Sequence, residues 1–162
     1  MKNRKMLYAG SFDPITYGHL DIIRRGAHIC DTLVVGVVNN YSKNAMFDAE
    51  ERVEMIREAT KEIGNIVVDS FVGLLADYVK ANDFCVAIRG LRTSLDFDYE
   101  IHMAQMNARL YGSGVETIFL MTDPNYSFIS SSMTKEVFLL NGDIEGLVPP
   151  NVLEAMIRKV SK

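Results

Sequence analysis

Cysteine is scarce in this chain of 162 residues, and long apolar runs are missing. The two cysteines, Cys30 and Cys85, have no neighbouring cysteine or histidine at redox-motif or metal-site spacing, so we interpret both as small buried apolar side chains. No run reaches the roughly 18 apolar residues of a membrane span, and no membrane association is expected. Nothing in the sequence marks export, so the cytoplasm is the expected compartment.

An excess of positive charge is also missing. The chain has 17 lysines and arginines against 21 aspartates and glutamates, a formal net charge of −4. This balance argues against a general nucleic-acid binder, whereas a few cations in one cleft would suffice for a small phosphorylated ligand. No repeat, linker or low-complexity segment interrupts the chain, and residues 1–162 are predicted to form one domain.

Three common catalytic arrangements are absent. The sequence has no G-x-x-x-x-G-K-[ST] loop, no G-x-S-x-G turn, and no group of His, Cys and Asp residues at metal-ligand spacing. We therefore expect neither a metal held by protein side chains nor a covalent intermediate on a nucleophile of these kinds.

Short β-branched runs alternate with segments of helical spacing along the chain. The predicted strands are residues 6–10, 31–38, 66–71, 84–88 and 116–121. Helices are predicted from near residue 19 to 30 and over residues 49–63, 74–82, 95–111, 130–140 and 150–162. Asp48 is the expected N-cap of the second helix, with Glu51 completing a capping box. The alternation predicts an α/β class, single-domain, doubly wound, five-stranded parallel sheet of Rossmann-like fold.

The loop from Ser11 to His19 joins the first strand to the first helix. In an open α/β sheet such a loop lies at the carboxyl end of a strand, where ligands bind, and the following helix start attracts anions. Ser11 offers a hydroxyl and a backbone N–H, and Gly18 permits a tight turn. His19 falls in the first helical turn, where a protonated or donating imidazole could stabilise a phosphoryl group. The alternative is an ordinary turn with His19 at the surface or capping the helix.

Three further segments carry phosphate-binding chemistry at the predicted carboxyl edge. Arg89 and Arg92, separated by Gly90-Leu91, are typical of a phosphate clamp that projects from the end of the fourth strand. Three serines, 130–132, supply hydroxyls and free N–H groups at a helix start. Lys43 follows the second strand. Taken alone, the arginines could be solvated loop residues, the serines could lie in a solvated loop, and Lys43 could be a surface lysine. Together they predict a site that positions two phosphorylated reactants for phosphoryl or nucleotidyl transfer by direct in-line attack.

The same segments resemble a known family. Residues 10–16 with Gly18-His19 resemble the first signature of the nucleotidyltransferase superfamily that carries an (H/T)xGH motif, and residues 129–132 resemble its second signature. Within that superfamily the chain is similar, from about Arg4 to the last helix, to the bacterial phosphopantetheine adenylyltransferases. The supporting stretches are residues 47–56, 88–92, 96–100 and 127–137.

The resemblance implies a reaction of ATP with 4′-phosphopantetheine that yields dephospho-coenzyme A and pyrophosphate, the penultimate step of coenzyme A biosynthesis. The acceptor phosphate would attack the α-phosphorus of ATP directly, with no covalent enzyme intermediate. Mg²⁺ would arrive bound to the ATP phosphates. A homohexamer and feedback inhibition by coenzyme A are also implied.

Residue roles follow from the resemblance. His19 matches the residue that stabilises the transition state, and Ser11 matches a position, more often threonine, that orients the acceptor phosphate. The expected catalytic residues are Ser11, His19, Lys43 and Arg92. The expected substrate-binding residues are Ser11, Lys43, Leu75 and Arg89, with Leu75 acting through its backbone. The expected ATP-binding residues are Ser11, Phe12, His19, Gly90, Leu91, Arg92, Glu100, Tyr126, Ser127, Phe128, Ile129, Ser130, Ser131 and Ser132.

Tyr17 and the pair Asn44-Ala45 depart from the common family pattern.

Two other functions compete with the interpretation as a phosphopantetheine adenylyltransferase. A cytidylyltransferase would share the first loop, but it usually carries an arginine-rich second signature, where this chain has Tyr126-Ser127-Phe128. A nucleotide sensor without catalytic activity would need the phosphate site but not His19.

Overall fold

The computed structural model describes residues 4–39, 45–112 and 114–161. Its strands are β1 (Lys5–Gly10), β2 (Thr32–Asn39), β3 (Ile66–Val72), β4 (Val86–Leu91) and β5 (Glu116–Met121). Its helices are α1 (Tyr17–His28), α2 (Ala49–Thr60), α3 (Leu75–Ala81), α4 (Ser94–Tyr111), α5 (Ser131–Leu139) and α6 (Pro150–Val160). The elements alternate along the chain as predicted.

The five strands form one parallel sheet in the order β3-β2-β1-β4-β5, which confirms the predicted α/β fold class. The order reverses between β1 and β4, the position at which sheets of this kind bind ligands. β1 pairs with β2 as far as Gly10, but with β4 only as far as Tyr8, opposite Ile88. The two central strands therefore separate at their carboxyl ends.

Side chains that alternate along the strands build a core on each face of the sheet. On one face Tyr8 and Ile88 belong to the cluster that includes Ile23 of α1 and residues of α2 and α6. On the other face Leu7 and Ala87 pack with Val79 and other residues of α3 and α4. The strands β1 and β2 are thus covered on both sides, which explains their nearly continuous apolar runs, whereas the edge strands β3 and β5 are partly exposed.

Most predicted element boundaries agree with the structure within two residues, and the capping box at α2 is confirmed. The Asp48 carboxylate accepts from Glu51 N at 2.8 Å, and the Glu51 carboxylate accepts from Asp48 N at 2.9 Å. α2 ends at Thr60, three residues before the predicted end.

Cys30 is buried as predicted, whereas Cys85 is only half-buried, and both are free thiols.

β4 differs most from its prediction, which placed it at residues 84–88. It begins at Val86 and continues to Leu91, because its residues from Arg89 to Leu91 pair with Phe119–Met121 of β5. Arg89 is therefore a strand residue and does not lie in the loop expected for it. None of the described helices is both long and apolar enough to cross a bilayer.

We expect Ile23→Ala to lower the free energy of unfolding by about 2–5 kcal/mol, because Ile23 is fully buried and its loss leaves a cavity. The matched control is Ile29→Ala, at the end of the same helix, where the side chain is 40% exposed and the loss should stay below about 1 kcal/mol. Urea denaturation measures both. Equal losses would contradict the described packing of α1.

Candidate active site

His19 is held at the start of α1 by a reciprocal capping box with Thr16. The Thr16 hydroxyl accepts from His19 N at 3.4 Å, and Thr16 N donates to His19 Nδ1 at 3.1 Å. A backbone N–H can only donate, so Nδ1 must carry the lone pair. The proton of a neutral ring therefore lies on Nε2.

The imidazole is also kept neutral. Burial, assisted by the nearby guanidinium of Arg92, lowers the pKa of His19 from 6.5 to about 4. Of the two forms considered from the sequence, protonated or donating, the geometry supports a neutral ring that donates from Nε2. His19 can cap α1 and bind a ligand at the same time, because the cap uses Nδ1 and does not involve Nε2.

A cavity of about 230 Å³ opens next to His19, above the point where β1 and β4 separate. Its lining residues are Tyr8, Thr16, Gly18, His19, Gly90, Arg92, Thr122, Ile129, Ser130 and Ser131. They come from β1, from the start of α1, from the end of β4, from the residue after β5 and from the start of α5, so three of the four predicted phosphate-binding segments meet here. Lys43, in the fourth segment, lies outside the described residues.

Two helix N-termini contribute to this cavity. Gly18 lies in the first turn of α1, and Ser130 is the N-cap of α5, its hydroxyl accepting from Met133 N at 3.1 Å. Helix starts carry free N–H groups and a partial positive charge, and Arg92 adds a full positive charge. The cavity is therefore suited to a multiply charged anion such as a phosphate chain.

Arg89 and Arg92 do not form the single clamp predicted from their spacing. Arg89 faces the α4 side of the sheet, where its Nε and Nη2 donate to the Glu100 carboxylate at 2.5 and 2.7 Å. Arg92 follows the end of β4, lines the His19 cavity and donates to Asp96 at 3.0 and 3.2 Å. The reason is that β4 extends through Leu91, so successive side chains alternate between the two faces.

Arg89 also marks the gap between the central strands. Its Nη1 donates to the carbonyl of Ala9 at 3.2 Å, beyond the last residue pair that β1 makes with β4. The guanidinium thus lies at the base of the loop that begins with Ser11.

The other predicted residues divide by exposure. The Ser11 side chain is exposed but does not line the cavity. Phe12 is buried, with its ring edge-on to the rings of Tyr8 and His19, so any contact of Phe12 with a ligand would come from its backbone. Leu91 is buried, and Leu75 is half-buried on α3, on the same face of the sheet as Arg89.

The segment before α5 is partly in the cavity. Ile129, Ser130 and Ser131 line it, whereas Phe128 and Ser132 are exposed. The remaining two residues make local contacts: the Ser127 hydroxyl donates to Pro124 O at 3.1 Å, and the Tyr126 ring stacks on Tyr17 with centroids 6.1 Å apart. Tyr17, which departs from the common family pattern, thus has a stacking partner in the segment before α5.

Sequence reasoning missed an ion pair beneath the loop. The buried Asp13 carboxylate accepts from Lys135 Nζ at 2.5 Å and from the backbone N–H groups of Met46 and Phe47 at 3.0 Å each. One turn before Lys135 on α5, the Ser131 hydroxyl donates to the carbonyl next to Asp13, that of Pro14, at 2.7 Å. Asp13 therefore fixes the first loop against both α5 and the segment before α2. In the sequence, the four-residue spacing of Ser131 and Lys135 is the signal that could have indicated this contact, because it places both side chains on one face of α5.

Arg52 was missed as well. It is only 3% exposed and donates to the carbonyls of Ser11 at 2.8 Å, Asp48 at 3.1 Å and Val38 at 3.2 Å. Among the described residues no carboxylate pairs with it. Its position in the first turn of a charged helix resembles that of a surface residue, so the sequence contains no signal for this role.

Comparison with known proteins identifies the family. The model of a family described as cytidylyltransferase-like matches residues 7–137. A protein of Geobacter metallireducens named phosphopantetheine adenylyltransferase is 51% identical over 162 residues, which cover all of this chain and 99% of the relative. One of the same name from Streptomyces coelicolor is 50% identical over 157 residues, 97% of this chain and 98% of that one. The chain belongs to the phosphopantetheine adenylyltransferase family.

This membership confirms the family predicted from the two signatures. Solved structures support the fold alone. A nicotinic acid mononucleotide adenylyltransferase from Plasmodium falciparum superposes with a TM-score of 0.67 at 14% identity, covering 95% of this chain and 94% of that one. A lipopolysaccharide core biosynthesis protein from Thermoplasma volcanium gives 0.53 at 19% identity, over 75% and 97% of the two chains.

We expect the His19 ring to stay neutral, with its proton on Nε2, from pH 8 to about pH 5. The unfolded chain binds this proton near pH 6.5 but the folded chain only near pH 4, so acidification between these values should also destabilise the fold. Nitrogen-detected NMR of labelled protein measures tautomer and titration together, with His19→Gln to assign the signal. A ring that titrates above pH 6, or a proton on Nδ1, would contradict the described cap.

Proposed function

We propose that this protein transfers the adenylyl group of ATP to 4′-phosphopantetheine, releasing pyrophosphate and dephospho-coenzyme A. The observation that carries the proposal is the cavity in which a neutral His19 meets two helix N-termini and Arg92. Relatives about 50% identical over nearly the whole chain bear the name of this activity.

We propose that these groups act on charge and position. The acceptor phosphate attacks the α-phosphorus in line, and charge develops on the phosphoryl oxygens and on the leaving pyrophosphate. His19 Nε2–H and the N–H groups at the start of α5 donate to those oxygens, while Arg92 neutralises them. Because the acceptor is itself a phosphate nucleophile, the reaction requires no nucleophile from the protein.

The acceptor is proposed to bind on the Arg89 side of the strand gap. Arg89 Nη1 reaches Ala9 O next to the Ser11 loop, and Leu75 lies on the same face of the sheet. Glu100 fixes the Arg89 fork by two hydrogen bonds, so we assign Glu100 a positioning role toward Arg89, and its contact with ATP stays a prediction. Lys43 completes the proposed acceptor site on the strength of the family resemblance.

Mg²⁺ is proposed to enter bound to the triphosphate. The carboxylates near the cavity residues in sequence are already engaged. Asp96 binds Arg92, Asp21 binds Arg25 and Asp13 binds Lys135, while Asp123 accepts from the backbone N–H of Asn125. No group of three or more metal-binding side chains occurs in the described part of the chain. The donor set of the cavity therefore suits phosphate oxygens, with the ion held through them, where it would help to neutralise the leaving group.

Feedback inhibition by coenzyme A and a homohexamer stay predictions from the resemblance, and a cytoplasmic location stays the expectation from a sequence in which nothing marks export. For the hexamer there is supporting surface chemistry, because exposed apolar side chains collect on one helix, α4. They are Leu95, Phe97, Tyr99, Met103 and Met106. Burial of such a face against further copies would remove it from water.

The defining experiment supplies radiolabelled ATP with and without 4′-phosphopantetheine. Pyrophosphate should appear only when both substrates are present. His19→Ala should lower turnover at least about a hundredfold, the scale of losing one transition-state donor, and change ATP affinity only moderately. His28→Ala, at the exposed end of the same helix, is the control. Preference for CTP, or full turnover by the His19 variant, would contradict the proposal.

The two substrate sites can be separated by calorimetry. We expect Arg89→Lys, which loses the planar fork, and Lys43→Met to weaken 4′-phosphopantetheine binding at least about tenfold, with ATP binding within about threefold of wild type. Lys61→Met, which removes an exposed lysine paired with Glu58, serves as the charge-matched control. Equal weakening for both ligands would mean that the acceptor site is wrongly assigned.

A further inference from the structure

We propose that the hydroxyl of Tyr8 contacts the phosphate chain of the nucleotide, as a hydrogen-bond donor in addition to His19 and Arg92. The proposal rests on the proposed function, since it assigns a further ligand-binding residue to the same cavity. No residue of β1 before Gly10 was expected in the site from the sequence, where Tyr8 reads only as part of an apolar strand.

The first observation is the position of Tyr8. It is the last residue of β1 that pairs with β4, opposite Ile88, so its side chain lies where the central strands begin to separate. The residue is only 7% exposed, yet it lines the cavity beside His19 and Arg92. The phenol body is therefore core, while its polar end reaches the cavity.

The second observation is that the hydroxyl has no partner among the described residues. The Tyr78 hydroxyl donates to the Asp69 carboxylate at 2.7 Å. The hydroxyl of the buried Tyr111 also makes no bond to a described residue, but Tyr111 does not line the cavity. The Tyr8 hydroxyl makes no such bond with the described chain, and no side-chain polar atom that is fully buried in the described residues lacks a partner. The unpaired hydroxyl is therefore open to the cavity, where a ligand oxygen can accept its hydrogen bond.

The third observation is that the ring is fixed in place. Its edge packs against Phe12 with centroids 5.4 Å apart, and Phe12 in turn packs against His19 at 5.1 Å. On the other side the hydroxyl lies beside Gly90, where a Cβ atom would come within 3.4 Å of it. Phe12 thus packs against both Tyr8 and His19. This shared contact fixes the position of the Tyr8 hydroxyl relative to His19 Nε2, although the two side chains make no direct bond.

The charges around the hydroxyl favour donation to an anion. Burial raises the pKa of Tyr8, so the phenol keeps its proton, while Arg89 and Arg92 oppose that rise and Glu100 and Asp21 add to it. A neutral hydroxyl surrounded by these groups can donate to a phosphate oxygen without adding negative charge of its own. The proton stays on Tyr8 throughout, because the contact is a hydrogen bond and involves no transfer.

The test is Tyr8→Phe, which removes one oxygen and keeps the ring contacts. Tyr111→Phe is the matched control, because Tyr111 is similarly buried at 6% exposure but packs in the core cluster on the opposite face. We expect Tyr8→Phe to lower kcat/KM for ATP about 10- to 100-fold, the scale of losing one hydrogen bond to a charged group. The thermal unfolding midpoint should stay close to that of Tyr111→Phe.

Calorimetry with inorganic pyrophosphate and with 4′-phosphopantetheine locates the contact. Pyrophosphate should bind Tyr8→Phe at least about fivefold more weakly than wild type, with 4′-phosphopantetheine binding within twofold. If the wild type turns over and Tyr8→Phe keeps the wild-type kcat/KM and pyrophosphate affinity, the inference is overturned and the proposed function stands. Weakening confined to 4′-phosphopantetheine would overturn it too. An inactive wild type would refute the proposed function, while the pyrophosphate titration would still test the contact.

Discussion

The separation of β1 and β4 after Tyr8 and Ile88 is the constraint on which the site depends. In this sheet the chain leaves β1 toward one side and β4 toward the other, so the two strands cannot be covered by the same connection. The resulting gap is where Arg89 contacts the carbonyl of Ala9 and where the cavity beside His19 opens. The Arg89 guanidinium and the cavity beside His19 thus lie on opposite faces of the sheet at this gap.

Loops alone would not keep this opening in shape. Asp13 binds Lys135 of α5 and the two backbone N–H groups that precede α2, and Arg52 of α2 binds the carbonyls that end β1 and β2. Each of these buried charges is satisfied by several hydrogen bonds, which makes its desolvation tolerable. The groups proposed to bind phosphate therefore stand on rigid elements, as a preorganised electrostatic site requires.

The cavity combines one neutral donor, His19, with one cation, Arg92. His19 offers a neutral Nε2–H because its Nδ1 accepts from Thr16 and burial lowers its pKa to about 4. Full positive charge comes from Arg92, which is also bound to Asp96. This arrangement suits the proposed phosphate ligand, and the ion pair of Arg92 with Asp96 compensates the charge of Arg92 in the empty cavity.

By itself the sequence determined the fold class, the capping box of α2 and the family, and it indicated three of the segments that line the cavity, because local spacing and short motifs carry these features. Only the tertiary structure decided how those segments combine. It extended β4 through Leu91 and so placed Arg89 and Arg92 on different sides of the sheet, since strand pairing with β5 outweighs the loop signal of Gly90. It also showed the roles of Asp13 and Arg52, whose hydrogen-bond partners lie far along the chain, and the place of Tyr8 in the cavity wall. Local sequence patterns do not indicate contacts of this kind.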